Sequence, residues 1–296
     1  MKAGFIGLGM MGGPMCRNLI KKGNPALVYD LNAEAVARAK SAGATAAASA
    51  KDVAARSDVV FLSLPMPKDV EAVVMGADGI LAGAKKGLIV VDLSTNAPAM
   101  VKRLEKELAA KGIAFLDSPV SGGVDGAEAA TLAIMVGGSK AAFDQAKPML
   151  ECMGKNVFHL GAIGTGSVAK LCNNMVSFCN LAAASEALLL AKRAGLDPQV
   201  MVNVMHASSG ASSSLKRVDR KAIHGDFQQE FALNLAYKDL TLALDLGRET
   251  ETPLAYGSYT YTLMQKARAN GRGAEDVSTL MRDIEEPVQD RVRTKL

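Results

Sequence analysis

Ala3-Gly4-Phe5-Ile6 runs into Gly7-Leu8-Gly9-Met10-Met11-Gly12, a helical pattern follows, and a second apolar run, Ala26 to Tyr29, closes on Asp30. An apolar run, a G-x-G-x-x-G turn, a helix and a second apolar run make a βαβ unit carrying a dinucleotide-binding fingerprint. Gly7 serves the tight turn out of the strand, Gly9 lets backbone approach a pyrophosphate, and Gly12 lets the helix pack closely on the sheet. The N–H groups at the helix start, offered by Gly7, Leu8, Gly9, Met10, Met11 and Gly12, favour an anion. Asp30, ending the second run, is placed to accept hydrogen bonds from both hydroxyls of an adenosine ribose, with Leu31 beside it in the cofactor-binding set. A 2′-phosphate about 4 Å from that carboxylate would be repelled by a few kcal/mol. Leu31-Asn32-Ala33 brings no arginine to offset this. The pattern predicts a nicotinamide enzyme that uses NAD, with NADP the poorer cofactor.

Outward from this unit, short β runs alternate with helical stretches as far as residue 160. Strands are expected at Val59–Leu64, Leu88–Asp92, Ala114–Leu116 and Leu132–Val136, with helices near Val70, from Pro98 to Lys111 and from Lys140 to Met153. Such alternation predicts an α/β, Rossmann-like, doubly wound and mostly parallel sheet. After Gly161-Ala162-Ile163-Gly164-Thr165-Gly166 the pattern changes. Val168 to Ala194 reads as one long helix, and helix punctuation recurs at Asp197-Pro198, Ser208–Ser214, His224-Gly225-Asp226, Thr252-Pro253 and Gly271–Gly273. The expected organisation is a dinucleotide-binding domain over 1–163 and an all-α domain over 164–296, which serves substrate binding and oligomerisation. The long helix would bridge them, and the cleft between them is the expected site.

Composition narrows the partners. The 296 residues carry 34 Lys and Arg against 30 Asp and Glu, a formal charge of +4, with 4% aromatic residues and no Trp. Without a basic block, nucleic acid is not an expected partner. Glycines and Pro14 break residues 1–16 as a secretory leader, and no uninterrupted apolar stretch reaches the length of a membrane span. Cys16, Cys152, Cys172 and Cys179 form no C-x-x-C pair and do not cluster with His159, His206 or His224. They read as free thiols in helices of a cytoplasmic protein with no metal site.

Three further segments carry chemistry. Asp117-Ser118-Pro119-Val120-Ser121-Gly122-Gly123 follows a strand; its hydroxyl and glycine N–H groups suit a carboxylate, and equally a flexible turn. Lys170 and Asn174 are four apart and share a helix face. Val168, Leu171, Cys172, Met175 and Val176 surround them with apolar residues. A desolvated lysine acts as a general acid or base near neutrality; a lysine snorkelling to solvent is the plainer alternative. Lys238-Asp239-Leu240, within a helical pattern, sends Lys238 either into the site or to solvent. Outside these three, Lys216 or Arg217 in Ser208–Arg217 is a candidate for meeting a second substrate carboxylate, with a solvated helix face the favoured alternative.

Together these segments resemble the β-hydroxyacid dehydrogenase family, which includes the 3-hydroxyisobutyrate dehydrogenases. Phe5 to Gly12 with Pro14, Met15 and Asn18 is similar to its N-terminal signature, with Cys16 where a small Ser or Ala is usual. The resemblance implies that Ser121, Gly122 and Gly123 bind the substrate carboxylate, Lys170 is the catalytic acid/base and Asn174 positions substrate. It further implies that Ser94 and Thr95 lie by the nicotinamide ribose, that Met66 and Pro67 are near the cofactor, and that Lys238 closes over both, held by Asp239 in an ion pair. The implied reaction moves hydride between NAD and the β-hydroxyl of a small 3-hydroxy carboxylic acid, forming a semialdehyde. Alternatives are a reductase of tartronate semialdehyde, succinic semialdehyde or a 2-(hydroxymethyl)glutarate-like dicarboxylic semialdehyde, and a non-catalytic dinucleotide-binding protein. A homodimer or homotetramer is the family's usual assembly.

Overall fold

The computed structural model describes residues 1–292. Close contacts divide the chain into two compact units, Met1–Lys170 and the residues from Leu171 onward, so the division falls within the long helix Thr165–Arg193.

The first unit is built on a nine-stranded sheet: β1 (Ala3–Ile6), β2 (Ala26–Tyr29), β3 (Thr45–Ala46), β4 (Val59–Leu62), β5 (Ile89–Asp92), β6 (Ala114–Asp117), β7 (Val120–Ser121), β8 (Leu132–Gly137) and β9 (Gly154–Gly161). The order β3-β2-β1-β4-β5-β6 is parallel throughout, the arrangement of a doubly wound dinucleotide-binding fold. β8 runs antiparallel to β6 and β7, and β9 pairs parallel with β8. The central strands β1, β4 and β5 are apolar up to Asp92, which ends β5, because both faces are covered. Ala3, Phe5, Val59, Phe61, Ile89 and Val91 enter one core, where the rings of Phe5 and Phe61 stack with centroids 5.9 Å apart. Ile6, Val60, Leu62 and Val90 enter the other.

The expected strands are present with ends moved by at most two residues, while the two-residue β3 and β7 and the longer β9 were not expected. β9 is the one of consequence. It reads Gly-Lys-Asn-Val-Phe-His-Leu-Gly and leaves Phe158 and Leu160 largely exposed at the sheet edge, so no apolar run announces it. The helix before it stops at Leu150, which puts Cys152 in a turn rather than in a helix.

The second unit is helical. The long helix supplies Leu171, Phe178, Leu181, Ala184, Leu188 and Leu189 to a core completed by Pro198–His206, Ser213–Arg220, Leu233–Glu249, Ala255–Ala269 and Leu280–Glu285. Asp197 caps its helix as the sequence predicts, accepting from the N–H groups of Gln199 and Val200. By length and composition alone Thr165–Arg193 could cross a membrane. Its buried apolar side chains are nevertheless spent on this core.

Candidate active site

Every loop of the first unit that carries a sequence-predicted residue leaves the carboxyl end of a strand. Gly7–Gly12 follow β1, Asp30 follows β2, Met66 and Pro67 follow β4, Ser94 and Thr95 follow β5, and Ser121–Gly123 end the β6–β7 segment. In the fingerprint a Cβ on Gly12 would lie 1.9 Å from the Gly7 carbonyl oxygen, so turn and helix meet at a distance only glycine allows. A Cβ on Gly9 would meet nothing within 4 Å. The space over Gly9 is thus left open by the chain itself, on the exposed side of the turn. The helix Gly12–Lys21 has no side-chain cap and no acidic residue in its first turn. An open glycine and an uncapped helix start fit a pyrophosphate. Asp30 Oδ2 accepts from the N–H of Leu8 at 2.5 Å and Oδ1 from that of Asn32 at 2.7 Å. Both oxygens are therefore oriented by the backbone of this edge. Leu31, 91% exposed, stands beside them.

The loops after β4 and β5 are tied by a network that the sequence did not disclose. Ser94 Oγ accepts from the N–H of Leu64 at 2.9 Å. Asp92 Oδ1 accepts from the N–H of Ser94 at 3.0 Å, and Oδ2 from the side-chain amide of Asn96 at 2.6 Å. Burial pushes the Asp92 carboxyl up from 3.8 to about 6, with Asp117, its register neighbour on β6, adding to the rise. Asn96 Oδ1 is buried without a hydrogen-bond partner.

Ser121 is half-buried, and Gly122 and Gly123 are exposed. Behind this loop Asn18, read from sequence only as part of the signature, donates to the Ala127 carbonyl at 2.6 Å and so ties the first helix to it. Lys170 lies in the second turn of the long helix and is half-buried. Its surroundings are less apolar than its neighbours' names suggest. Leu171 is buried, whereas Val168, Cys172 and Val176 are exposed.

In the second unit one carboxylate gathers two of the expected residues. Asp239, 3% exposed, accepts from the Asn174 side-chain amide at 2.7 Å through Oδ2, and Oδ1 lies 2.8 Å from the Lys238 ammonium. The Lys238 pair follows the expectation; the hold on Asn174 is additional. Arg217 departs from expectation. It donates to Asp276 at 2.8 Å and lies 3.6 Å from Glu230, so it is committed to internal carboxylates and is not available for a substrate. Lys216 is exposed.

Residues 2–161 match the NAD-binding domain of 6-phosphogluconate dehydrogenase, and residues 164–284 match the NAD-binding domain of NADP-dependent 3-hydroxyisobutyrate dehydrogenase. The 2-(hydroxymethyl)glutarate dehydrogenase of Eubacterium barkeri is 41% identical over 283 residues, spanning 95% of this chain and 94% of that protein. The chain belongs to the β-hydroxyacid dehydrogenase family. The mitochondrial 3-hydroxyisobutyrate dehydrogenase of Mus musculus is 39% identical over 96% of this chain and 87% of its own length. A solved Mycobacterium tuberculosis 3-hydroxyisobutyrate dehydrogenase with L-serine superposes with a TM-score of 0.86 at 33% identity, covering 95% of this chain and 98% of that one. The protein is thus an oxidoreductase, a hydroxyacid dehydrogenase linked to a nicotinamide dinucleotide.

The buried Asp92 gives this dehydrogenase a pH signature. The folded chain keeps the Asp92 proton up to about pH 6, whereas a carboxyl at its ordinary value of 3.8 releases it earlier. Between those values the folded state binds more protons, so stability falls as pH rises through the window. The two-unit displacement corresponds to about 3 kcal/mol. Asp92→Asn is expected to flatten that fall, and to be at least as stable as wild type at pH 7. Urea unfolding at intervals from pH 4 to 8 checks this; parallel pH curves for the two proteins would contradict it.

Proposed function

We propose that the substrate is a small 3-hydroxy carboxylic acid of the form HO–CH2–CH(R)–COO⁻, oxidised at the hydroxymethyl carbon to a semialdehyde, with 3-hydroxyisobutyrate the leading candidate. The observation carrying this reading is that the strand-end loops and the start of the Lys170 helix share one edge of the first unit. The names of the relatives supply the substrate class: 3-hydroxyisobutyrate and 2-(hydroxymethyl)glutarate share that skeleton, as does the L-serine of the solved neighbour. The dicarboxylic reading is second, because it needs a cation for the further carboxylate and Arg217 is already paired.

Gly7 to Gly12, Asp30, Leu31, Met66, Pro67, Ser94 and Thr95 would hold the dinucleotide, which supplies the hydride acceptor when bound. Ser121, Gly122 and Gly123 bind the substrate carboxylate through a hydroxyl and backbone N–H groups. Asn174 and Lys238 orient substrate and cofactor, steadied by Asp239. The neutral Lys170 amine takes the hydroxyl proton as the C–H bond gives up its hydride and the C=O bond forms. In the reverse direction its ammonium returns that proton.

Initial rates of nicotinamide reduction over 3-hydroxyisobutyrate, 3-hydroxypropionate, glycerate, serine and 2-(hydroxymethyl)glutarate test the reading. One acid should stand out, and Lys170→Ala should lose at least about two orders of magnitude. Lys170→Arg should fail as well, because a guanidinium does not deprotonate. Full turnover in either variant would sink the assignment of Lys170.

NAD is the proposed cofactor, on the strength of the two backbone N–H groups that hold the Asp30 carboxylate at the end of β2. Asp30→Ser with Leu31→Arg removes the repulsion and adds a guanidinium for a 2′-phosphate. The expected result is a shift of at least about tenfold in the NADP:NAD ratio of kcat/KM toward NADP. No shift would mean that the ribose lies elsewhere.

The same reading puts the enzyme in the cytoplasm as a homodimer or homotetramer. Four cysteines without a disulfide favour a reducing compartment. Val176, Leu190, Tyr256 and Tyr259 expose apolar surface on two helices of the second unit, which suits a subunit contact. Light scattering at micromolar concentration should return a mass of two or four chains; a single-chain mass would exclude the assembly.

A further inference from the structure

The long helix Thr165–Arg193 does not cap itself. Its leading residue is Gly164, which has no side chain to offer. The cap comes instead from strand β6: Asp117 Oδ1 accepts from the Gly164 N–H at 2.8 Å, and Oδ2 from the Ser167 N–H at 2.7 Å. Both bonds are buried, and Asp117 itself is 1% exposed. A Cβ on Gly166, between the two donors, would lie 2.4 Å from the Asp117 carbonyl oxygen and 3.1 Å from Oδ2. The first helical turn therefore rests directly on the strand end, with no layer of side chains between.

The positive φ of Gly164, +91°, rules out an unstrained Ser, Asn or Thr cap at that position, so the acceptor has to come from outside the helix. A carboxylate taken out of water is costly, and burial indeed raises the Asp117 carboxyl above its ordinary range against the pull of its two N–H donors. What the tertiary cap provides and a local one does not is a fixed distance between β6 and the helix. Lys170 follows Ser167 by three residues, about 4.5 Å along the axis. In the other direction the chain runs from Asp117 through Ser118 and Pro119 to Ser121, four residues on. One carboxylate thus stands between the loop assigned to the substrate carboxylate and the turn that carries the general base.

We propose that Asp117 is the positioning residue that sets Lys170 against the Ser121–Gly123 loop, through its two bonds to the first turn of the long helix. The inference rests on the assignment of Lys170 made above. It concerns geometry, for which a displacement of about 1 Å costs as much as 100-fold in rate.

Asp117→Asn is the test, because it keeps the shape and leaves one acceptor for two donors. The expected variant binds NADH within twofold of wild type by fluorescence titration, since the fingerprint and Asp30 are untouched. Its kcat falls at least tenfold, its primary deuterium isotope effect on kcat rises, and the amides of residues 164–170 exchange faster. The rate deficit persists at 10 °C, well below the unfolding transition. A folded variant with a lowered Tm but wild-type kcat would overturn the proposal and leave Asp117 a structural role, as would a rate loss without faster exchange in residues 164–170. Asp117→Ser, assayed with NAD present to stabilise the fold, repeats the test with a shorter acceptor. Failure of both variants to fold would likewise assign Asp117 to the fold and overturn it. Lys170→Ala separates the two layers. If that variant is inactive while Asp117→Asn turns over normally, only the positioning role falls; if Lys170→Ala is active, the assignment beneath it falls first.

Discussion

Six strands of one sense, β1 to β6, must all leave the sheet at the same edge, and the chemistry of the first unit depends on that constraint. Each connection that returns a helix to start the next strand opens a loop at the carboxyl edge, and no loop of this kind is free to open elsewhere. The fingerprint turn, the Asp30 carboxylate, the Ser94 loop and the Ser121–Gly123 loop are far apart in sequence and neighbours by topology. The apolar strands beneath them, covered on both faces, make the edge a rigid platform rather than a set of independent loops.

That constraint explains which parts were legible in the sequence. Periodicity sees the strands and helices, so the doubly wound unit, the switch to helices after residue 164, and Asp197 as a cap could all be read directly. Glycines at fixed offsets with an acid at the next strand end picked out the tight turn after β1 and the carboxylate that accepts from it, because that geometry is carried by backbone and a single side chain. β9 was missed because an edge strand needs only one buried face and here shows little apolar alternation. The Asp92–Ser94–Asn96 network was illegible for a different reason: nothing in the spacing tells that these polar groups turn inward. Arg217 was misjudged because its partner Asp276 lies 59 residues away. A lone cation in sequence looks available until its carboxylate is placed.

Two buried carboxylates lie side by side in this platform, Asp92 on β5 and Asp117 on β6, paired in register. Burial raises both, and the Asp117 charge adds to the rise of Asp92. Neither is part of the core's apolar logic. Each collects backbone N–H groups from a loop or helix start that would otherwise lack an acceptor: Ser94 in one case, Gly164 and Ser167 in the other. Their effect is to bind irregular backbone to the strand ends, which is where a platform of parallel strands is weakest. The stability given up at these two positions thus falls next to the loops to which function is assigned above.

The second unit solves the same problem with helices. Asn174 sits on the long helix and Lys238 on Leu233–Glu249, and neither helix by itself fixes a long side chain. Asp239 does so by proximity. As the next residue after Lys238 it takes the ammonium on one oxygen, while the other oxygen reaches across to the Asn174 amide. An amide donating to a carboxylate has its orientation decided, because the reverse orientation would set oxygen against oxygen. A half-turn of Asn174 is thereby excluded. Asp239 and Asp117 therefore act alike, each a buried acid that leaves the reaction alone and settles where a residue on the long helix stands.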